Sequence, residues 1–291
     1  MNSFQQNSLK KHELILGLSG LFLFIFSTYA WLTIGNVLFV ILHLFGMSVF
    51  LEALVTVVGI RNIFNDTPKK LKYLLKIFLL GGIVGIVFFD FISVFLFGIW
   101  EYDRIFSPSE NILVYIFTAF PAWGFYFLIF HQSYQLFHRI IHRKYHFRDR
   151  KIQKYSAWIG VSGIALFLIG VTLPKLNIEP FIAATLAAFG GWFILEGFEL
   201  SRKRPTLLSD IVNGNFRPLV AIVLGAIILG FISEYTNLVA PVQQWNYYGI
   251  PFENIAIAGI PVLLLISWSW MYIVFLSLEN VTLINKEEFW D

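Results

Sequence analysis

The sequence predicts an all-α integral membrane protein of eight transmembrane helices, built as two parallel four-helix repeats. Three observations predict it. The 291 residues are 57% hydrophobic, 18% aromatic and only 13% charged, whereas a soluble domain carries about 25% charged residues. Eight apolar runs reach the roughly 20 residues that a helix needs to cross hydrocarbon. The chain also repeats itself once, and both copies carry acidic residues into apolar segments. Such a composition leaves no room for a sizeable soluble domain. The lipid bilayer is the expected surroundings, and no nucleic-acid partner is expected.

Taken in order, the runs fall at roughly 14–34, 37–60, 75–98, 110–137, 155–173, 178–200, 217–240 and 252–278. The first follows Lys10 and Lys11. It is too long for a signal peptide and lacks a small-residue cleavage site, so a retained span is expected. The second holds His43 and Glu52. The third opens with Gly81-Gly82 and Gly85 and contains Asp90. The fourth starts at Glu110 and holds Pro121, Trp123 and His131. The fifth carries Gly160 and Gly163, which match Gly17 and Gly20 of the first. The sixth contains Glu196. The seventh contains Gly225, Gly230 and Glu234. The eighth is expected to open at Glu253 and to contain Pro261, Trp268 and Trp270. Small residues let helices approach closely in lipid, and each proline removes a backbone donor from its helix.

The repeat rests on five anchors. Gly17-Leu18-Ser19-Gly20 returns as Gly160-Val161-Ser162-Gly163, and Phe50-Leu51-Glu52 as Ile194-Leu195-Glu196. Asp90 is answered by Glu234, and Trp100-Glu101-Tyr102 by Trp245-Asn246-Tyr247. Pro108-Ser109-Glu110-Asn111 is answered by Pro251-Phe252-Glu253-Asn254. The offset stays between 143 and 145 residues. Apolar segments readily resemble one another, but acids inside them do not. A carboxylate in hydrocarbon is costly, and it persists only with a partner, a cavity or a function.

The predicted organisation is a first repeat over 1–138, a basic cytoplasmic linker over 139–154 and a second repeat over 155–291. Each half has four spans, so both enter the membrane in the same direction, related by a pseudo-two-fold axis along the membrane normal. Connections 2–3, 4–5 and 6–7 are basic. They hold Arg61, Lys69, Lys70 and Lys72; then Arg139, Arg143, Lys144, Arg148, Arg150, Lys151 and Lys154; then Arg202, Lys203, Arg204 and Arg217. The alternate connections hold only Arg104 and Lys175. The positive-inside rule then places both termini in the cytoplasm, with the protein in the cell membrane. The formal net charge of +3 matters less than this placement. The chain has no cysteine, which excludes disulfides, thiolate catalysis and cysteine-ligated metals. The sequons at Asn65 and Asn280 fall on the cytoplasmic side and are discounted.

Six acids are candidates for chemistry: Glu52, Asp90 and Glu110, with their counterparts Glu196, Glu234 and Glu253. A carboxyl removed from water is disposed to carry a proton and to deliver it to a weak base. The structural alternative is a capping or bridging carboxyl, and it applies most directly to Glu110 and Glu253 at the starts of their helices. Trp100, Tyr102, Trp245, Tyr247 and Tyr248 flank the outer acids. They suit either an interfacial aromatic belt or a wall that shelters a cation with its ring faces. Trp123 and Trp268, with Trp270, lie deeper. With Phe120, Phe125 and Tyr126, Trp123 forms an aromatic strip suited to a long flat polyene or isoprenoid chain, or to ordinary lipid-facing packing.

His138, His142 and His146 recur at helical spacing, but Arg139, Arg143 and Lys144 beside them oppose a cation, so a basic flank is expected rather than a metal site. His43 and His131 stand alone in their spans, and a carbonyl partner is expected for each. No nucleotide-binding loop, dinucleotide fingerprint or serine elbow is present. No cofactor and no metal are expected.

Asp90, then Gly98-Ile99-Trp100-Glu101-Tyr102, then Pro108-Ser109-Glu110-Asn111 before an aromatic-rich span resembles the lycopene cyclase domain family. This is the small integral-membrane type of fungi, archaea and some bacteria, which also occurs as tandem homologous domains. Pro251-Phe252-Glu253-Asn254 offers the second copy, and Ile260-Pro261 with Trp268 resembles the related membrane carotenoid hydratases. The likeness covers 85–138 and 225–278. The family's Glu-Glu pair reads Glu-Asn in both copies, and no glycine precedes Trp245 in the family's position.

The resemblance implies proton-initiated cyclisation of a carotenoid end group, an isomerisation, with hydration as the related outcome. Asp90, Glu110, Glu234 and Glu253 would then be the acids and bases. Trp100 and Trp245 would shield the cation, and Tyr102, Trp123, Tyr247 and Trp268 would line the substrate. The implied partners are a lipophilic polyene or isoprenoid, other carotenoid-pathway enzymes and a second copy of the chain. Two further readings fit the same acids: a proton-coupled transporter or lipid-handling protein built from parallel repeats, and a catalytically diverged family member.

Overall fold

The structure is a computed structural model, and it describes residues 3–58, 67–102, 111–141, 150–176 and 179–283. Among these residues, eight helices are long and apolar enough to cross a membrane: His12–Ile34, Val37–Val57, Leu71–Val94, Ile112–Ile140, Ile152–Thr172, Pro180–Ser201, Arg217–Val239 and Val262–Leu283. They belong to α1 (Ser3–Ile34), α2 (Val37–Val57), α3 (Thr67–Val84), α4 (Ile112–Ile140), α5 (Ser156–Thr172), α6 (Pro180–Ser201), α8 (Arg217–Val239) and α9 (Val262–Leu283), with the short α7 at Leu207–Val212. Many large apolar side chains stay exposed, including Phe22, Phe117 and Trp158 at more than 70%. In a spanning helix such a face meets lipid instead of water.

Local chemistry sets the helix ends. Gly35 takes φ 71°, which ends α1, and the Asn36 side chain then accepts from Leu38 N at 2.9 Å to cap α2. Asn111 caps α4 by accepting from Leu113 N and Val114 N, both at 3.2 Å. Pro180 opens α6, where a missing N–H is harmless. Thr206 and Ser209 form a capping box on α7. Helix α4 runs on through Pro121.

Helix α3 does not continue as an α-helix. Gly85–Leu96 is a π-helix of 12 residues, far longer than the usual single-turn bulge. Beyond it, Phe97 N donates to Ile92 O and Ile99 N to Ser93 O, both at 2.9 Å. The motifs Trp100–Tyr102 and Trp245–Tyr247 are each a short strand, β1 and β2.

The eighth span begins later than its apolar run suggests. Residues 252–261 form a turn and a hairpin, β3 (Ala256–Ile257) with β4 (Ile260–Pro261), before α9 starts at Val262. Ala258 and Gly259 both have positive φ, 52° and 83°, as the tight primed hairpin turns require. Pro261 therefore precedes its helix and does not interrupt it. Glu253 lies on an exposed turn, not in a helix's first turn.

The chain divides into two compact units. The first comprises Met1–Val87, Tyr102–Ile140 and Thr236–Asn246; the second comprises Phe88–Glu101, Ile141–Tyr235 and Tyr247–Asp291. In the first, α1 and α2 cross backbone to backbone. A Cβ on Gly20 would stand 2.6 Å from Phe50 N, and one on Gly46 would stand 2.6 Å from Phe24 N. Helices α3 and α4 meet where Gly82 faces Phe120 and Gly85 faces the Trp123 ring. In the second unit, α5 and α6 cross in the same manner. A Cβ on Gly163 would stand 2.6 Å from Ile194 N, and one on Gly190 would stand 2.7 Å from Gly163 O. Phe97 and Ile99 pack with Ala183 and Ala187 of α6, and Ile250, Ile260, Leu264 and Leu265 form a neighbouring cluster. Tyr247 packs against both clusters.

Candidate functional site

The second unit builds a buried carboxyl site around Glu234. This residue lies on α8 and is 3% exposed. Its Oε1 accepts two hydrogen bonds, from the Tyr247 hydroxyl at 2.7 Å and from Trp268 Nε1 at 2.9 Å. The donors come from β2 and α9, so three separate elements fix one carboxyl. Gly230, one turn before Glu234, makes the indole contact possible. A Cβ there would stand 2.7 Å from Trp268 Cγ. Trp100 stands edge-on to Tyr247, with ring centres 6.0 Å apart. Tyr248 N donates to Ile99 O at 2.7 Å, which ties the backbone beside Tyr247 to that beside Trp100. The Tyr248 hydroxyl also donates to the Glu101 carboxylate. That hydrogen bond holds the phenol above its usual pKa.

Asp90, in the same unit, is fully buried in the π-helix. Its neighbour Phe89 meets Phe275 of α9, with centres 4.4 Å apart. The spacing of glycine and acid differs between the two halves of the chain. Five positions separate Gly85 from Asp90, but four separate Gly230 from Glu234. An α-helix returns to one face after 3.6 residues. A π-helix bonds i to i+5 and has a wider turn.

The glycine–indole contact occurs in both units. Gly85 faces Trp123 in the first and Gly230 faces Trp268 in the second, at a sequence offset of 145 for both members. Sequence reasoning singled out all four residues but did not join them as pairs. Their shared offset is the signal that joins them.

The structure therefore gathers Glu234, Tyr247, Trp268 and Trp100, with Asp90 buried in the same unit. Other candidates lie elsewhere. Trp245 belongs to the first unit, where its ring is 6.0 Å from that of Trp31. Tyr102 neighbours Tyr115, with centres 5.9 Å apart, and Trp123 neighbours Tyr126 at 5.9 Å. Glu253 is exposed. Glu110, His142 and His146 lie outside the described residues.

Glu52 and Glu196 make different contacts. Glu52 accepts from Gln132 Nε2 at 3.0 Å, and Gln132 Oε1 accepts from Ser48 at 3.2 Å. Glu196 accepts from Trp192 Nε1 at 2.8 Å and from Leu208 N at 3.1 Å, which satisfies the start of α7. Glu199 pairs with Arg204 at 3.4 Å. One histidine expectation also changes. His43 faces the Thr28 hydroxyl, 2.8 Å from Nδ1, instead of a carbonyl. His131 is buried edge-on to Tyr73. Among the described residues, no group of three or more His, Asp or Glu could hold a metal ion.

Comparison with known proteins adds no relative: no family model, no curated protein and no solved structure matches the chain.

Proposed function

We propose that the chain is a membrane-embedded enzyme that modifies a carotenoid or related isoprenoid by proton-initiated end-group cyclisation, in the manner of the lycopene cyclases. The observation that carries the reading is Glu234, buried at 3% exposure and held by Tyr247 and Trp268 with Trp100 behind them. A carboxyl and a phenol 2.7 Å apart can share and relay a proton. Aromatic rings around them offer negative faces to a carbocation. On this reading Glu234 and Asp90 exchange protons with the substrate, and Trp100, Tyr247 and Trp268 shelter the cation. The electron pair of the protonated double bond becomes a C–H bond. The resulting cation closes a ring with a second double bond, and loss of a proton to a base restores neutrality. The net change is an isomerisation.

The same proposal places the protein in the cell membrane with both termini cytoplasmic. It relates the two halves by a pseudo-two-fold axis along the membrane normal. The recurrence of the Gly85–Trp123 contact as Gly230–Trp268, and of the Gly20–Gly46 crossing as Gly163–Gly190, supports that relation.

Expression in cells that accumulate lycopene, with chromatography of the pigments, tests the reading. Cyclised or hydrated products are expected. They should fall at least about 100-fold in Glu234→Gln and in Asp90→Asn, the range that general acid–base groups contribute. Unchanged lycopene beside folded protein in the membrane would overturn lycopene as the substrate.

A further inference from the structure

The first unit contains a second polar site, distant in sequence from the acids and built on the end of α1 and the start of α2. Three side chains there are almost fully enclosed: Trp31 and His43 at 1% exposure and Gln244 at 2%. Each keeps one polar atom buried without a hydrogen-bond partner, namely Trp31 Nε1, His43 Nε2 and Gln244 Oε1. A buried polar group left unmade costs about 1–3 kcal/mol, so three such groups call for an occupant.

The residues that carry them are neighbours. The Trp31 ring meets the His43 ring edge-on at 5.5 Å and the Trp245 ring at 6.0 Å. Gln244 precedes Trp245 in the chain. Its amide nitrogen donates to Gly35 O at 3.0 Å and to Val242 O at 2.9 Å, and Gly35 N donates to Trp31 O at 2.9 Å. Asn237 fixes the covering segment from both sides. Its Oδ1 accepts from Gln244 N at 2.8 Å, and its Nδ2 donates to Trp245 O at 2.8 Å.

The polarity of each unmade bond follows from its neighbours. Thr28 Oγ1 lies 2.6 Å from Phe24 O and donates its one hydrogen there. Toward His43 Nδ1, at 2.8 Å, the hydroxyl must therefore accept. The proton is on Nδ1, and Nε2 presents a lone pair. Gln244 uses both amide hydrogens on carbonyls, so its Oε1 also presents lone pairs. Trp31 Nε1 can only donate. The set is one donor with two acceptors, walled by the rings of Phe24, Trp31 and Trp245. No charged side chain is among these residues, so an ion is not matched. A hydroxyl is matched, because it accepts from the indole and donates to the imidazole or the amide oxygen.

We propose that Trp31, His43 and Gln244 bind the hydroxyl group of a neutral lipophilic alcohol. The site stands independently of the acid site and of its chemistry.

The test uses purified full-length protein in detergent and two alcohols, geranylgeraniol and a diacylglycerol. Each is compared with its O-methyl ether by ligand-dependent thermal stabilisation. The ether can accept but cannot donate. At least one alcohol is expected to bind about tenfold or more tightly than its ether, the value of one hydrogen bond to a desolvated site. Which alcohol wins identifies a prenyl or a glyceride source. At least one of His43→Phe and Gln244→Leu, which remove the acceptors, is expected to erase the alcohol preference, whereas Trp31→Phe, which removes the donor, is expected to weaken alcohol and ether alike. Glu234→Gln is expected to keep the preference. Equal binding of alcohol and ether, or a preference unchanged in both His43→Phe and Gln244→Leu, would overturn the proposal. So would failure of both alcohols to bind wild-type protein, the result expected if the site holds water only.

Discussion

Glu234 shows how one carboxyl becomes oriented inside an apolar segment. Its two donors reach the same oxygen from elements far apart in sequence, β2 and α9. One of them approaches only because residue 230 has no side chain. Removing a donor from a buried acceptor costs about 1–3 kcal/mol. Tyr247→Phe should therefore destabilise the protein by that amount in detergent melts. In the Glu234→Gln background it should cost measurably less, because the acceptor has changed. A double-mutant cycle measures the difference. A coupling indistinguishable from zero would show that the hydrogen bond contributes nothing. The acid itself was legible in the sequence, since a carboxylate within an apolar run stands out whatever its partners. The partners were not legible in full. Trp245 and Tyr247 are two residues apart and both flank Glu234 in the sequence, yet Tyr247 binds it and Trp245 lies against Trp31. Residues i and i+2 of a strand share a face, so the pleat does not separate these two, and apolar patterning carries no record of which partner each one meets. Asn111 presents the same lesson. Beside the family's acidic pattern it reads as a departure, but its side chain caps α4.

At the scale of elements, the helices were legible because hydrocarbon thickness demands a run of about 20 apolar residues, and most of the starts follow that demand closely. The eighth does not, because residues 252–261 are as apolar as a helix but fold as a hairpin turning at Ala258-Gly259. The π-helix escaped for a similar reason. Most of its residues are apolar whichever hydrogen bond they make. The packing of helix pairs is written more plainly, in adjacent glycines that do different things. A Cβ on Gly190 would collide with Gly163 O and the backbone of Phe167, while one on Gly191 meets nothing within 4 Å. In lipid, such close approach is what holds helices together. Gly190→Ala should therefore lower stability by about 1–3 kcal/mol, the usual cost of overpacking. Gly191→Ala should be neutral or slightly stabilising, since alanine favours a helix over glycine. Thermal unfolding of the two variants side by side checks this, and equal melting temperatures would show that the α5–α6 crossing yields without strain.

At the scale of the whole molecule, charge placement points to one orientation, and an even number of spans is compatible with it. Basic residues crowd connections 2–3, 4–5 and 6–7, while the alternate connections hold only Arg104 and Lys175. Lys and Arg are retained on the cytoplasmic side during insertion, so Lys203 should face the cytoplasm. Asn254, one span later, should face outward. Both positions are exposed, and the chain has no cysteine of its own. A single introduced thiol therefore reports its own side of the membrane without background. In intact cells, a membrane-impermeant maleimide is expected to label Asn254→Cys and to leave Lys203→Cys unlabelled until the membrane is opened. The reverse pattern would place the basic connections outside and invert the protein. Labelling of both in intact cells would put the two connections on one side. That outcome would remove α8 from the membrane and, with it, the intramembrane setting of Glu234 on which the proposed chemistry depends.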